Sequence, residues 1–513
     1  MALFRLQHKV QSLYSSAIIL ALCLCMSYAI FVHRVDVPAE GDLGCFMAIA
    51  QQLHSGAWLY EGVWDNKAPG VFLLHALAQI FTYSPNYPLF ITIGLLWILA
   101  LSAAYKYRSA PPLTVILLGS LIAYWYLQLF VFWEVSYIGG FTEEWGMMLL
   151  LSAWLWFDSG SDRFNLILSG LLFGGAIFIK EPFVLFYPAF LLSGSYSSIW
   201  ISSKRYIWHF SAALPWLAFA TVYILTGRFE YLLAYFKGAF LYSGEGHLGF
   251  ETFFERFDLI KQYWNPYLLK SWSKYVWVLR ILGLRFIWLI YRRFRHNETF
   301  NNGAIISAWI PALIAGVVFL TLGGHAYLHY GIPLLAIMAL GFVLLIWDAV
   351  NWLSGPFWTP LKNLFLILIV VIFIRNYTRD NQDNKELIKG AGWEQSVVLS
   401  KIQKGERVFF DEENMGRFYF YTQGKSIGRY PVPYYTFFYN PTDNYRPDLK
   451  LHRERFREDF MLYPPKIIVS KDPKSWAPVF DFAKMQNWLG DEFTLADSFS
   501  YTSGKLYIWR HGK

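Results

Sequence analysis

Two acids and a lysine stand together shortly after the first apolar stretch of this chain: Asp42, Asp65 and Lys67, in a polar loop spanning residues 33 to 87. A carboxylate at a membrane surface can act as a general base, taking the proton of a hydroxyl as that hydroxyl attacks, a role worth about 100- to 10,000-fold in rate. The loop carries a helix of its own to hold them. After Gly41, residues Leu43, Phe46, Met47, Ala50 and Leu53 recur at helical spacing and form one apolar stripe, with Gln51, Gln52 and His54 off it. Asp42 falls just before the first turn, where an aspartate is also a good N-cap. The two roles can coexist.

The rest of the chain is that of a membrane protein. Of its 513 residues, 56% are hydrophobic and 20% aromatic, and many stretches approach the roughly 20 residues that cross a bilayer. Spans are expected near 13–32, 88–105, 113–133, 143–157, 164–180, 182–200, 207–226, 274–291, 304–322, 328–350 and 361–374, about eleven in all. The first is expected to be retained as a span, because Cys23 to Met26 run on to Phe31 without a small-residue cleavage pattern.

Lysine and arginine set the orientation. With Arg5 and Lys9 cytoplasmic, alternate loops carry Lys106 and Arg108, Arg163, Lys204 and Arg205, Arg292, Arg293 and Arg295, and Lys362, a consistent positive-inside record. The apolar stretch 70–83 is short and would invert every later loop if it spanned, so it is expected to lie on the outer surface as an interfacial helix. The loop 33–87 is then external, and so is the tail from 375. A net charge of +8 reads as membrane anchoring; no basic run on a soluble domain calls for nucleic acid. The three cysteines imply no external disulfide framework.

Composition shifts after residue 374. In the charged segment 375–513, the stretches 407–411, 466–470 and 505–510 read as strands and 477–489 as a helix, enough for a small α/β domain. The domains expected are thus 1–374 in the membrane and 375–513 outside it.

The loop pattern resembles a known family. Asp42, Phe46 four residues on, an Ala-bearing helix ending in Ser55-Gly56, Tyr60, and WDNKAPG from Trp64 to Gly70 look like the first external loop of polytopic glycosyltransferases of the GT-C fold. The branch it resembles contains the protein O-mannosyltransferases and the lipid A aminoarabinose transferase. Glu143 and Glu144 opening a span, GLLFGGAIFIK ending at Lys180, and GGHAYLHYGIP with His329-Tyr330 agree with it, in order across residues 30 to 350. The resemblance implies a bacterial cytoplasmic membrane protein that takes a sugar from a polyprenyl phosphate, inverts the anomeric centre and uses Asp42 as base. It also implies no cofactor and no metal. Where the best-known members have Glu after this Asp, the chain has Leu43, and the nearby second acid is Glu40.

Expulsion of a phosphate gives the cations a purpose, since each one aimed at the leaving oxygens can contribute a few kcal/mol. Lys67, Lys180 and His329-Tyr330 fall at the outer ends of expected elements and are the donor-phosphate candidates. Each has a plainer reading: Lys67 as a headgroup anchor, Lys180 as a snorkelling helix C-terminus, His329-Tyr330 as interfacial aromatics. Glu40, Asp65, Glu143 and Glu144 are candidates for holding sugar or acceptor. Asp65 could equally pair with Lys67 and hold the loop, and Glu143 and Glu144 could simply favour a first helical turn. Glu134 has no assigned role. The aromatic loop 227–270 begins amphipathically, as an interfacial helix would.

The expectation is therefore an α-helical integral membrane protein with a small external C-terminal α/β domain, moving a sugar from a polyprenyl-phosphate donor to a hydroxyl on lipid, glycan or protein. A transporter or flippase of lipid-linked sugars, a polysaccharide ligase, or a non-catalytic assembly protein are the rivals. Transporters more often keep their charges near the bilayer midplane.

Overall fold

The structure is a computed structural model. It describes most of residues 2–34, 42–110, 141–192, 204–244, 303–341, 400–410, 455–470 and 493–512, and scattered residues of 112–119 and 418–426. Expected spans 274–291 and 361–374, nearly all of 113–133, the candidate helix 477–489, Glu40 and Glu134 lie outside the described residues.

In chain order the helices are α1 (Ala2–Arg34), α2 (Asp42–His54), α3 (Pro69–Phe81), α4 (Tyr87–Lys106), α5 (Thr142–Asp158), α6 (Arg163–Ile179), a 3-10 turn (Glu181–Phe186), α7 (Tyr187–Leu191), α8 (Lys204–Leu225), α9 (Phe229–Gly244), α10 (Gly303–Leu322) and a second 3-10 turn (Leu328–Gly331). Strands β1 (Val408–Phe410), β2 (Ile467–Ser470), β3 (Phe493–Tyr501) and β4 (Gly504–His511) follow.

Length and hydropathy explain the membrane helices. Val10–Val32 of α1, α4 and α8 are each at least 20 residues long and contain 18-residue stretches with mean hydropathies of 2.2, 1.9 and 1.3, and 20 helical residues reach about 30 Å. Helices α5, α6 and α10 fall on the expected spans 143–157, 164–180 and 304–322. The expected span 182–200 does not begin as an α-helix. Lys180 adopts extended backbone (φ −155, ψ 115), Pro182 has no N–H to continue the ladder, and a 3-10 turn leads into the five-residue α7.

Glycines bring the bundle together. A Cβ at Gly170 would lie 2.6 Å from the Trp208 carbonyl oxygen, and one at Gly174 would lie 2.1 Å from that of Ala212. This small-xxx-small face of α6 lets α8 approach backbone to backbone, and the Trp208 indole donates to Ser169 Oγ at 3.0 Å to lock the crossing.

One expectation changes in the external loop. Helix α2 has no solvent face over most of its length, because Leu43 through Ala50 are all buried. Leu43, Phe46, Met47 and Ile49 pack into the core of the membrane helices, whereas Ala48 packs with Ile402, Val408, Phe410, Phe418, Tyr419, Ile467, Val469 and Ile508 of the C-terminal region. A single-stripe pattern thus hides a helix buried on two sides. Helix α3, by contrast, is two-faced: Val71, Phe72, His75 and Gln79 are buried while Leu73, Leu77, Ile80 and Phe81 are exposed. Its 13 residues reach about 20 Å, short of a bilayer core.

The C-terminal region forms a four-stranded sheet of order β1-β2-β4-β3, with β1 parallel to β2 and the other neighbours antiparallel. Three strands coincide with those read from sequence. The fourth, β3, pairs with β4 through a bulge between Leu495 and Asp497 that breaks its alternation.

Candidate active site

The loop between α2 and α3 fixes Lys67 from both sides. Gly56 turns the chain out of α2 with φ +93, a left-handed conformation suited to glycine. Tyr60 is held at φ +66, unusual for an aromatic residue and a sign of stored strain. What over-determines it is packing: the ring is buried and stacked on Tyr235 of α9 at 4.4 Å between centroids. Its hydroxyl donates to the Lys67 carbonyl at 2.8 Å, and the Lys67 N–H donates to Asp65 Oδ1 at 2.9 Å. With its backbone clamped, Lys67 directs Nζ to within 3.7 Å of Asp42 Oδ1.

Gly70 brings this loop to the end of α6. A Cβ there would meet the Phe178 carbonyl oxygen at 2.4 Å, so the start of α3 rests directly on the last turn before Lys180. Lys180 reaches the other way, into an ion pair with Glu143 Oε1 at the start of α5, and its Nζ lies 4.4 Å over the Tyr330 ring. Thr142 donates to Glu143 Oε2 at 3.0 Å. Glu144 pairs with Arg34, the last residue of α1, at 3.3 Å, with both side chains sealed from solvent. The tight fit of Gly146 against the Phe183 ring seats the 3-10 turn on α5.

Of the sequence candidates, Asp42, Asp65 and Lys67 therefore form one group, and Lys180, Glu143 and Tyr330 a second. Glu144 lies beside the second group, facing Arg34. His329 belongs to the second 3-10 turn by its backbone; its side chain, like Glu40, lies outside the described residues. Glu143 and Glu144 both hold cations of other helices. Asp65 holds the backbone of Lys67.

Two participants escaped the sequence reading. Arg34 is one: at the end of a span it reads as a snorkelling anchor, and only its partner 110 positions away makes it a buried ion pair. Glu181 is the other. It follows Lys180 directly, retains some accessible surface, yet its Oε1 is buried without a hydrogen-bond partner. The signal available was an acid placed immediately after a membrane helix and before a proline.

Burial shapes the electrostatics. It pushes the Asp65 carboxyl up to about 6, with Lys67 opposing the shift and the Asp42 charge adding to it. It pushes Glu181 up to about 7 against the pull of its own backbone N–H, Lys180 and Lys67. The Tyr60 hydroxyl is raised well above its ordinary range, first by burial and then by the charges of Glu181, Tyr223 and Asp65. Glu181, next to Lys180 in sequence, thus feels the charge of both lysines. Asp42, at 31% side-chain exposure against 1% for Glu143 and 0% for Glu144, is the carboxylate of these ion pairs that a second substrate can reach. Among the described residues no group of three or more His, Cys, Asp or Glu is arranged to hold a metal ion.

Comparison with solved structures accounts for this architecture. The crystal structure of ArnT from Cupriavidus metallidurans bound to undecaprenyl phosphate matches with a TM-score of 0.54, covering 96% of this chain and 97% of that one at 12% identity. The apo structure of the same protein matches with a TM-score of 0.54 at 13% identity over the same shares. The chain has the GT-C fold of ArnT. No protein-family model matches the chain, and no curated protein matches its sequence. At such identity it is the fold that is shared, over nearly the whole of both chains.

Proposed function

We propose that the protein is a membrane glycosyltransferase that moves a sugar from a polyprenyl phosphate to an acceptor hydroxyl, with Asp42 as general base. The observation that carries this reading is the Asp42–Lys67 pair: an accessible carboxylate 3.7 Å from a lysine whose backbone is clamped, in the fold of a protein crystallised with undecaprenyl phosphate.

In one displacement, Asp42 takes the acceptor's proton as its oxygen attacks the anomeric carbon, the bond from that carbon to the phosphate oxygen breaks, and the configuration inverts. The departing polyprenyl phosphate carries the electron pair, and Lys67 and Lys180 face the charge that develops there, with Tyr330 beside Lys180 and His329 as a further phosphate candidate. No step needs a metal or cofactor, so transfer is expected to persist in EDTA.

The setting is a bacterial cytoplasmic membrane, crossed many times, with the N-terminus cytoplasmic and the site on the external face. The membrane domain would end near 374. Burial of Ala48 in the C-terminal core supports a tail domain on the same side as the loop. The acceptor is a lipid, glycan or protein hydroxyl.

The test is label transfer from isotope-labelled polyprenyl-phosphate sugars to acceptor-containing membranes by purified wild type and Asp42→Asn. The variant is expected to lose at least about 100-fold in rate while binding donor normally. A variant that transfers at the wild-type rate would sink the base assignment, and a wild type that turns over no donor would favour lipid-linked sugar transport.

A further inference from the structure

The strained residue of the first loop is held by more than its own ring. Tyr60 sits in a tight turn, residues 58–63. The Gly62 and Val63 N–H groups donate to the Trp58 carbonyl at 2.8 and 3.1 Å, and the Tyr60 N–H donates to the Val63 carbonyl at 2.6 Å. These bonds are internal to the turn. A left-handed tyrosine relaxes unless its surroundings prevent it, so whatever anchors the turn from outside also sets where the Tyr60 hydroxyl goes.

The anchor is the corner between α8 and α9, 164 to 167 positions further along the chain. Gly227, at φ +70, turns the chain out of α8, and the Arg228 N–H closes that turn on the Tyr223 carbonyl at 2.8 Å. From there the Arg228 side chain makes three contacts. Nε donates to Glu61 Oε2 at 2.6 Å, Nη1 donates to the Thr226 carbonyl at 3.1 Å, and the guanidinium lies 4.3 Å over the Trp58 ring. In the last turns of α8, the Tyr223 hydroxyl donates to the Leu59 carbonyl at 2.6 Å. Residues 58, 59 and 61 are thus each gripped from one corner, and Tyr60 stands among them.

The grips differ in character. Tyr223 is buried, whereas the Arg228 and Glu61 side chains are 31% and 32% exposed. A half-exposed ion pair adds little to stability, so its main consequence is geometric. A planar guanidinium bonded along two edges and stacked on an indole has one orientation, which lysine cannot reproduce.

We propose that Arg228 is a positioning residue for sugar transfer. Held against Glu61 and Trp58, it fixes the 58–63 turn and keeps Tyr60 left-handed. Through the Tyr60 hydroxyl on the Lys67 carbonyl, it aims Lys67 at Asp42 and the leaving phosphate. Arg228 acts through Tyr60 and Lys67 rather than on the reacting atoms. The inference rests on the glycosyltransferase reading for its reaction, and carrier binding tests it separately.

The experiment is a double-mutant cycle on purified full-length protein: wild type, Arg228→Gln, Tyr60→Phe and the double variant, with Arg228→Lys alongside. The readouts are unfolding temperature, label transfer from the polyprenyl-phosphate sugar that wild type uses, and affinity for bare undecaprenyl phosphate. The bare carrier bears the full charge of the leaving group, so its binding reports on Lys67 without turnover. Arg228→Gln is expected to slow transfer about 10-fold through misplacement and to weaken carrier binding, with an unfolding temperature close to wild type. Tyr60→Phe should do likewise, and the double variant should be about as impaired as the worse single one, because both act on one linkage. Arg228→Lys should fall between wild type and Arg228→Gln. The proposal is overturned if the double variant shows the product of the two single losses in transfer and in carrier binding, or if Arg228→Gln matches wild type in both. It is also overturned if Arg228→Gln lowers the unfolding temperature by many degrees, which would mark a structural brace. If wild type transfers no sugar while carrier binding keeps the non-additive pattern, the positioning of Lys67 stands and the glycosyltransferase reading falls.

Discussion

The two lysines of the site are built alike and held differently. Lys67 and Lys180 are each 13% exposed, but the carboxylate partner of Lys67 is 31% exposed at 3.7 Å, whereas that of Lys180 is 1% exposed and in direct contact. An open, long ion pair is only weakly held and can exchange partners as substrate enters. A sealed pair is bound up with the stability of the helices it joins. In the proposed function the Lys67 end is the working end, and the Lys180–Glu143 and Arg34–Glu144 pairs help fix the frame against which it works.

Removing one member of each pair is the most direct way to break that comparison. Lys180→Met removes the cation of a buried ion pair and is expected to cost about 3–5 kcal/mol, read as a large drop in unfolding temperature in detergent. The double variant Lys180→Met/Glu143→Gln should recover much of that stability without recovering transfer. Lys67→Met should do the reverse, leaving the unfolding temperature nearly unchanged and slowing transfer about 100-fold. If both lysine variants behave alike in both assays, the distinction between the two ends is wrong.

Gly70 sharpens the comparison, because it holds the two ends in register. An alanine there would force the loop away from Phe178, and a displacement of about 1 Å can cost up to 100-fold in rate. Gly70→Ala is expected to reduce transfer at least about 10-fold. Gly94, where an added Cβ would have nothing within 4 Å, should accept alanine silently. Equal rates for the two variants would show that contact between the loop and α6 is dispensable.

The smallest effect is on pH dependence. Asp65 and Glu181 have folded pKa values raised to about 6 and about 7, above ordinary values of roughly 4. The folded protein then binds more protons than the unfolded chain between about pH 4 and pH 7, so stability is greatest at the acid end of that window and declines as pH rises through it. Each group contributes at most about 1.4 kcal/mol per pH unit, with Lys67 and Lys180 opposing. Unfolding temperature should fall from pH 5 to pH 8, and Glu181→Gln should flatten the upper part of that slope. A wild-type profile that rises across this range would contradict the burial of both acids.

Much of this was legible in the chain itself, and for a physical reason. Hydropathy over 20 residues and periodicity over a dozen are local quantities, so α1, α4, α5, α6, α8 and α10, the short α3, and strands β1, β2 and β4 follow from their own residues. The types at Asp42, Lys67 and Lys180 advertise their chemistry wherever they sit. Strand β3 was not legible, since its bulge interrupts the alternation that marks a strand. Nor was the second buried face of α2, where Ala48 meets side chains more than 350 positions away. Which acid faces which cation depended wholly on tertiary structure: Glu143 and Glu144 are adjacent in sequence, yet one holds Lys180 and the other Arg34. Partner choice among buried charges is decided by which helices the close-packed glycines allow to touch, and that information is spread over the whole bundle.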